Sequence, residues 1–252
     1  MHVSRGVPLI VAQRRLSLRG LAALRESHAD RPSWAALFMK AYALVAAEMP
    51  PLRRAYVKLP WPHLYEYPTS AGTIAIERDF DGEPGPVFVR VGDPEALQLR
   101  HIAAAIDEAK TPRFSETRTY RRMQRVTRLP LLLRRMAWWV ALNSPRHRAN
   151  YFGTFGVSAV SSNATGLVFL RSPVTSVLTY DEIDAAGGVT ARIIFDHRVL
   201  DGMMVARALE RLEDILMGPI AAELGGSAEP SRETPRPLQP NVREVRPNFG
   251  SA

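Results

Sequence analysis

Two hydrophobic periods alternate along this chain, and each change of period marks an element. Ser17, followed by Leu18, Leu21 and Leu24, predicts a helix with Ser17 as its N-cap. Ser33 predicts a second cap. The helix behind it aligns Trp34, Leu37, Phe38, Ala41, Leu44 and Val45 on one face and stops at Pro50-Pro51. Prolines interrupt the pattern between Tyr56 and Tyr67, which reads as edge strand or loop. Gly72–Arg78 and Val87–Val91 predict two strands joined by a turn at Asp81-Gly82-Glu83-Pro84-Gly85. Asp93-Pro94, a cap followed by a first-turn proline, predicts a third helix with Leu97, Ile102, Ala105, Ile106 and Ala109 inward.

In the second half, Tyr151–Val160, Leu167–Leu170 and Val174–Tyr180 read as strands. A turn at Asp184–Gly188 precedes a clean alternation with Val189, Ala191, Ile193 and Phe195 on one side. Met203–Leu216 then reads as a helix with Met203, Ala206, Leu209, Leu212 and Leu216 inward. Residues 225–252 are rich in proline and charge with little to bury, the composition of a disordered tail. No internal repeat is present. Helices and strands mix around one core, so the expected architecture is a single α/β domain, its sheet mixed or antiparallel with helices on its faces.

Length and composition narrow the chemistry. The chain has 252 residues, enough for one large domain or two small ones, and 46% of them are apolar and 23% charged, which is ordinary for a soluble globular protein. It contains no cysteine, which excludes disulfides, thiol nucleophiles and thiolate metal sites. Six scattered histidines show no metal-ligand spacing, so no metal is expected. The N-terminus has no apolar run ahead of a small-residue cleavage site, which gives a cytoplasmic expectation. The net charge of +8 is concentrated: Arg113–Arg148 holds ten arginines and one acid, Glu116.

The candidate chemistry lies at Phe195-Asp196-His197-Arg198-Val199-Leu200-Asp201-Gly202. An imidazole at a strand end with a carboxylate four residues on, close enough to brace it, is suited to general-base work. The other five histidines have no comparable setting. Upstream, Gly153-Thr154-Phe155-Gly156-Val157-Ser158 puts a hydroxyl on a strand, where it can donate to an oxyanion. Each residue also has a plainer reading. His197 can be a satisfied polar residue, Ser158 a small strand residue, Asp201 the N-cap of the next helix and Arg198 an ion-pair partner.

Together these segments resemble the acyltransferase core of 2-oxo acid dehydrogenase complexes and its relative chloramphenicol acetyltransferase. Asp196–Gly202 matches the DHRxxDG signature of the former without a gap, and Phe155-Gly156-Val157-Ser158 matches the Phe-x-hydrophobic-Ser strand of both. Val7–Arg25, Ala71–Arg78, Val87–Val91 and Asp93–Lys110 resemble further blocks, so the likeness spans about residues 7–222. The resemblance implies a chloramphenicol acetyltransferase-like fold and acyl transfer from acyl-CoA, with coenzyme A as a substrate, through a tetrahedral intermediate. His197 would be the base, Ser158 the oxyanion donor, and Asp201 a structural residue held by an ion pair. It also implies a homotrimer whose sites lie between subunits.

Several features depart from that pattern. No lipoyl domain, subunit-binding domain or linker precedes the core, so no covalent lipoyl group is expected, and the acceptor is a small molecule, a lipid or a carrier protein. The short basic helix ahead of the first strand is missing or reduced to His2–Gly6, so either Arg5, Arg14 or another arginine pairs with Asp201, or Asp201 is held differently. The glycine-rich turn after the strand serine is replaced by Ser161-Ser162-Asn163-Ala164-Thr165-Gly166.

Residues 113–150 look like an insertion and carry three open readings. They form a basic amphipathic surface for a membrane or a long acyl chain, a cradle for coenzyme A phosphates, or a helix whose apolar side packs on the core. No nucleic-acid motif accompanies the charge. The leading function is a stand-alone acyl-CoA-dependent acyltransferase. The alternative is a non-catalytic relative that docks a membrane or partner through 113–150. A serine hydrolase ranks below both because Ser158 lacks a GxSxG elbow.

Overall fold

The structure is a computed structural model and describes residues 6–80, 83–111, 129–159, 173–226 and 243–245. Its centre is a six-stranded mixed sheet. β1 (Leu9–Ser17) pairs antiparallel with β8 (Gly188–Asp196), which pairs antiparallel with β7 (Ser176–Tyr180). β7 runs parallel to β6 (Phe155–Ala159), and β6 parallel to β4 (Ala71–Phe80). β5 (Glu83–Gly92) closes the far edge antiparallel to β4, giving the order β1-β8-β7-β6-β4-β5. A smaller sheet joins β2 (Arg54–Val57), β3 (His63–Glu66) and β9 (Arg243–Val245). β9 lies in the Pro- and charge-rich C-terminal segment, where composition alone gives no reason to expect a strand.

One face of the large sheet carries the helices α1 (Arg19–Ser27), α2 (Trp34–Glu48), α3 (Leu99–Lys110) and α6 (Gly202–Ile215). α6 continues through a wide turn at Leu216–Ile220 into α7 (Ala221–Leu224). α2 is apolar nearly all round, and every residue from Ala36 to Ala43 is buried, as that pattern requires of a helix inside a core. Phe38 stacks on Tyr180 of β7 at 4.2 Å, and Tyr42 meets Phe155 of β6 edge-on at 4.9 Å. The Tyr42 hydroxyl donates to Ser176 Oγ at 2.8 Å, which satisfies it inside the core. The segment between α3 and β6 holds two more helices, α4 (Leu131–Asn143) and α5 (Pro145–Phe152).

The single mixed α/β domain matches the sequence reading, and so does the Ser33 cap, whose Oγ accepts from Ala36 N. Several boundaries differ. Ser17 is the last residue of β1, paired with Gly188, and its N–H donates to Glu213 Oε1 at 2.7 Å. The ladder therefore claims Ser17, and α1 starts from Leu18 with no side-chain cap. Asp93-Pro94 makes a turn instead of opening α3. Asp93 N bonds Ser70 O, Ala96 N bonds Asp93 O, and the helix begins only at Leu99. β4 and β5 pair as far as Phe80 and Glu83, so Glu83-Pro84-Gly85 of the expected turn belong to β5, and Asp81 and Gly82 lie outside the described residues. The segment read as a strand from Tyr151 is helical through Phe152, and β6 starts at Phe155. In α6 the inward stripe is Val205, Ala208, Leu209, Leu212 and Ile215, while Met203 stands 66% exposed. Asp201 caps this helix and so sets its phase. The strand read at Leu167–Leu170 lies outside the described residues.

Candidate active site

His197 follows the last residue of β8, and backbone bonds build its turn. His197 N donates to Pro8 O at 2.9 Å, Asp196 N to Thr175 O at 3.0 Å, and Val199 N and Leu200 N both to Asp196 O. The chain therefore folds back over the end of β8 before α6 begins. In this turn His197 Nδ1 lies 2.9 Å from the Leu200 carbonyl oxygen. A carbonyl only accepts, so Nδ1 carries the proton and the neutral ring keeps Nε2 as its basic atom. The imidazole is exposed, with its edge against Phe195 at 6.1 Å.

The brace is thus a main-chain carbonyl and not Asp201. Asp201 is exposed, and its Oδ1 accepts from Met204 N at 2.7 Å as the N-cap of α6. No arginine pairs with it among the described residues. Arg14 instead binds Glu210 and Glu213, and Arg5 lies outside the described residues.

The charged group that anchors the turn is Asp196, only 3% exposed. Arg198 grips it in two-pronged fashion, Nε at 2.9 Å from Oδ1 and Nη2 at 2.6 Å from Oδ2, and lies over the Tyr56 ring at 4.4 Å. The bond to Asp196 raises the Arg198 pKa above its ordinary value. Arg148 sits close by, donating to Pro173 O at 2.5 Å and Tyr56 O at 3.0 Å, and burial pulls its pKa down. The ion-pair reading of Arg198 matches this arrangement. Tyr56, Arg148 and the Leu200 carbonyl escaped the sequence reading, because no periodicity or motif links them to His197.

Ser158 sits near the end of β6. Gly153 makes the entry to that strand possible. Its φ is +78°, and a Cβ there would come within 2.5 Å of both Ala71 O and Thr73 Oγ1. Beyond it, Thr154 N donates to Ala71 O at 2.7 Å, and Thr154 Oγ1 accepts from Ala71 N at 2.9 Å, which fixes β6 against β4. Phe155 and Val157 point into the core, so Gly156 and Ser158 point to the opposite face. Register places Ser158 level with Thr179, Arg192 and Gln13. Arg192 binds Asp181 through two bonds of 2.5 and 2.8 Å.

His197 and Ser158 do not meet within one chain. His197 lies five residues beyond Arg192 and two strands across, so they are separated by roughly 20 Å at ordinary strand geometry. Ser158 is level with the middle of β8, whereas His197 lies beyond the end of that strand. Among the described residues no group of three or more histidine or acidic side chains is placed to hold a metal ion.

This strand order and helix layer form a chloramphenicol acetyltransferase-like fold. The dihydrolipoamide acetyltransferase of Azotobacter vinelandii superposes with a TM-score of 0.60 at 18% identity, over 88% of this chain and 87% of that one. A probable dihydrolipoamide acetyltransferase from Listeria monocytogenes gives 0.57 at 17% identity, over 94% and 92%. A chloramphenicol acetyltransferase gives 0.52 at 12% identity, over 85% and 92%. No protein-family model and no curated protein sequence matches the chain.

Proposed function

We propose that this chain is an acyltransferase that moves an acyl group from a coenzyme A thioester to a thiol, hydroxyl or amine. The observation that carries the reading is the fixed tautomer of His197, which presents a basic Nε2 to solvent in a fold of this type. His197 Nε2 takes the proton of the acceptor as the acceptor attacks the thioester carbonyl. The carbonyl oxygen becomes an oxyanion and accepts a hydrogen bond from the Ser158 hydroxyl. Collapse of the intermediate breaks the carbon–sulfur bond, and the imidazolium returns its proton to the coenzyme A thiolate. Asp201 acts on geometry, by fixing the start of α6 behind the turn.

Because the two residues lie roughly 20 Å apart within one chain, the site is completed by a second copy. His197 comes from one subunit and Ser158 from its neighbour, in a homotrimer. In the Azotobacter enzyme a serine, a histidine and an asparagine four residues after the histidine were examined for catalytic roles, and Asp201 stands four residues after His197. That spacing supports the assignment of the turn.

Release of free coenzyme A from acetyl-, octanoyl- and palmitoyl-CoA, with thiol, alcohol and amine acceptors, tests the reading. His197→Ala is expected to lower the rate by ~10²–10⁴, and Ser158→Ala by ~10²–10³. Turnover unaffected by either change, or absent with every donor and acceptor, overturns it.

A further inference from the structure

α4 is an anomaly in this fold, because none of its residues is buried. Leu132, Leu133, Met136, Trp139 and Val140 fall within about 120° of arc on an ideal helix, and all five are exposed, Leu132 by 77%. The reading in which the apolar side of this segment packs on the core does not describe the helix. Its opposite side makes only limited contact, chiefly the stacking of Trp138 on Phe152 at 5.4 Å. Exposed apolar surface of this extent marks an interaction site.

Charge selects the occupant. No acidic residue occurs between Glu116 and Asp181. Arg134 and Arg135 lie on α4, Arg146 and His147 stand exposed at the start of α5, and residues 113–128 add six arginines in sequence. Arg134, Arg135 and Arg146 have no carboxylate partner among the described residues. A second copy docked through this same face would oppose arginine to arginine. A neutral acyl chain would need no arginines, and a nucleic acid would not cover leucine and tryptophan. No described helix is long and apolar enough to cross a membrane.

We propose that α4 lies flat on an anionic lipid surface, with its leucine, methionine and tryptophan side chains among the acyl chains and the neighbouring arginines on the headgroups. This reading does not depend on the acyl-transfer reading and is tested without activity.

The full chain is sedimented with vesicles of phosphatidylcholine alone and of equal parts phosphatidylcholine and phosphatidylglycerol. It is expected in the pellet only with the anionic vesicles, with binding that weakens as salt is raised. Leu132→Glu with Met136→Glu and Trp139→Glu abolishes that binding. Arg135→Gln with Arg146→Gln, both exposed, weakens it about thirtyfold, at about fivefold per surface arginine. Thermal melts check that both variants are folded, and the arginine pair serves alone if the glutamate variant is not. The proposal is overturned by absence of binding to either vesicle, or by equal binding to both. It is also overturned if the glutamate changes alter the oligomeric state by light scattering and leave sedimentation intact.

Discussion

An imidazole with its Nδ1 proton held by a carbonyl is oriented as well as tautomerically fixed, and both properties come here from residues 196–200. The sequence shows where His197 lies, because alternation ends at Phe195 and a cap follows at Asp201. It does not show the brace. The only nearby group that looks like one is the Asp201 carboxylate, whereas the group in place is a main-chain oxygen that a side-chain pattern cannot reveal. Another residue contrasts with this well-satisfied turn. Glu95 Oε1 accepts from Ser70 N at 3.0 Å, but Oε2 is buried without a partner. Burial raises its pKa, the nearby Asp93 adds to the rise, and the Ser70 N–H and Arg53 oppose it. A carboxyl with a raised folded pKa contributes its stability below the ordinary glutamate value of about 4.3 and loses it as pH rises through the folded value. Glu95→Gln, which keeps the acceptor and removes the charge, is therefore expected to raise the melting temperature at neutral pH. The gain should vanish below pH ~4. Melts of both proteins across that range test this, and a destabilised variant at neutral pH refutes it.

At the scale of elements, one carboxylate joins three helices. Glu223 of α7 pairs with the buried Lys40 Nζ of α2 and accepts from Leu99 N at the start of α3 at 2.6 Å. Glu223→Ala leaves an unpaired ammonium in the core and is expected to cost about 3–5 kcal/mol in urea unfolding. Lys40→Met combined with Glu223→Gln should recover most of that loss, since no charge stays buried and Leu99 N keeps its acceptor. A double variant no more stable than Glu223→Ala would show that the charge is not the cause. Local signals were reliable here where nothing competed for the same backbone. Ser33 caps α2 as its sequence indicates, while Ser17 and Asp93 are drawn by pairing into β1 and into the tie between β4 and β5. Such pairing joins distant residues, so no local window contains it. The same holds for α4, whose sequence fits a packed helix as well as an exposed one.

For the whole molecule, the decisive quantity is register. The fold class and both candidate residues are legible in the chain, but the offset between Ser158 and His197 emerges only when β6, β7 and β8 are aligned. The shared-site reading makes a sharp prediction. His197→Ala and Ser158→Ala proteins, each inactive, are expected to regain activity when their subunits are mixed and reassembled. With random assembly at equal amounts, about a quarter of the sites combine an intact base with an intact donor. No recovery in reassembled trimers, verified by mass, would place both residues' work within one subunit. The offset also carries a topological consequence. On that reading, a base beyond the end of β8 and a hydroxyl level with its middle are different patches of each copy, so the joining surface is head-to-tail and each copy gives one half of a site and receives the other. A closed ring then has as many complete sites as subunits, whereas an open row leaves one imidazole and one hydroxyl idle at its ends. Closure would thus be a condition of full occupancy, independent of how tightly any single pair of copies adheres.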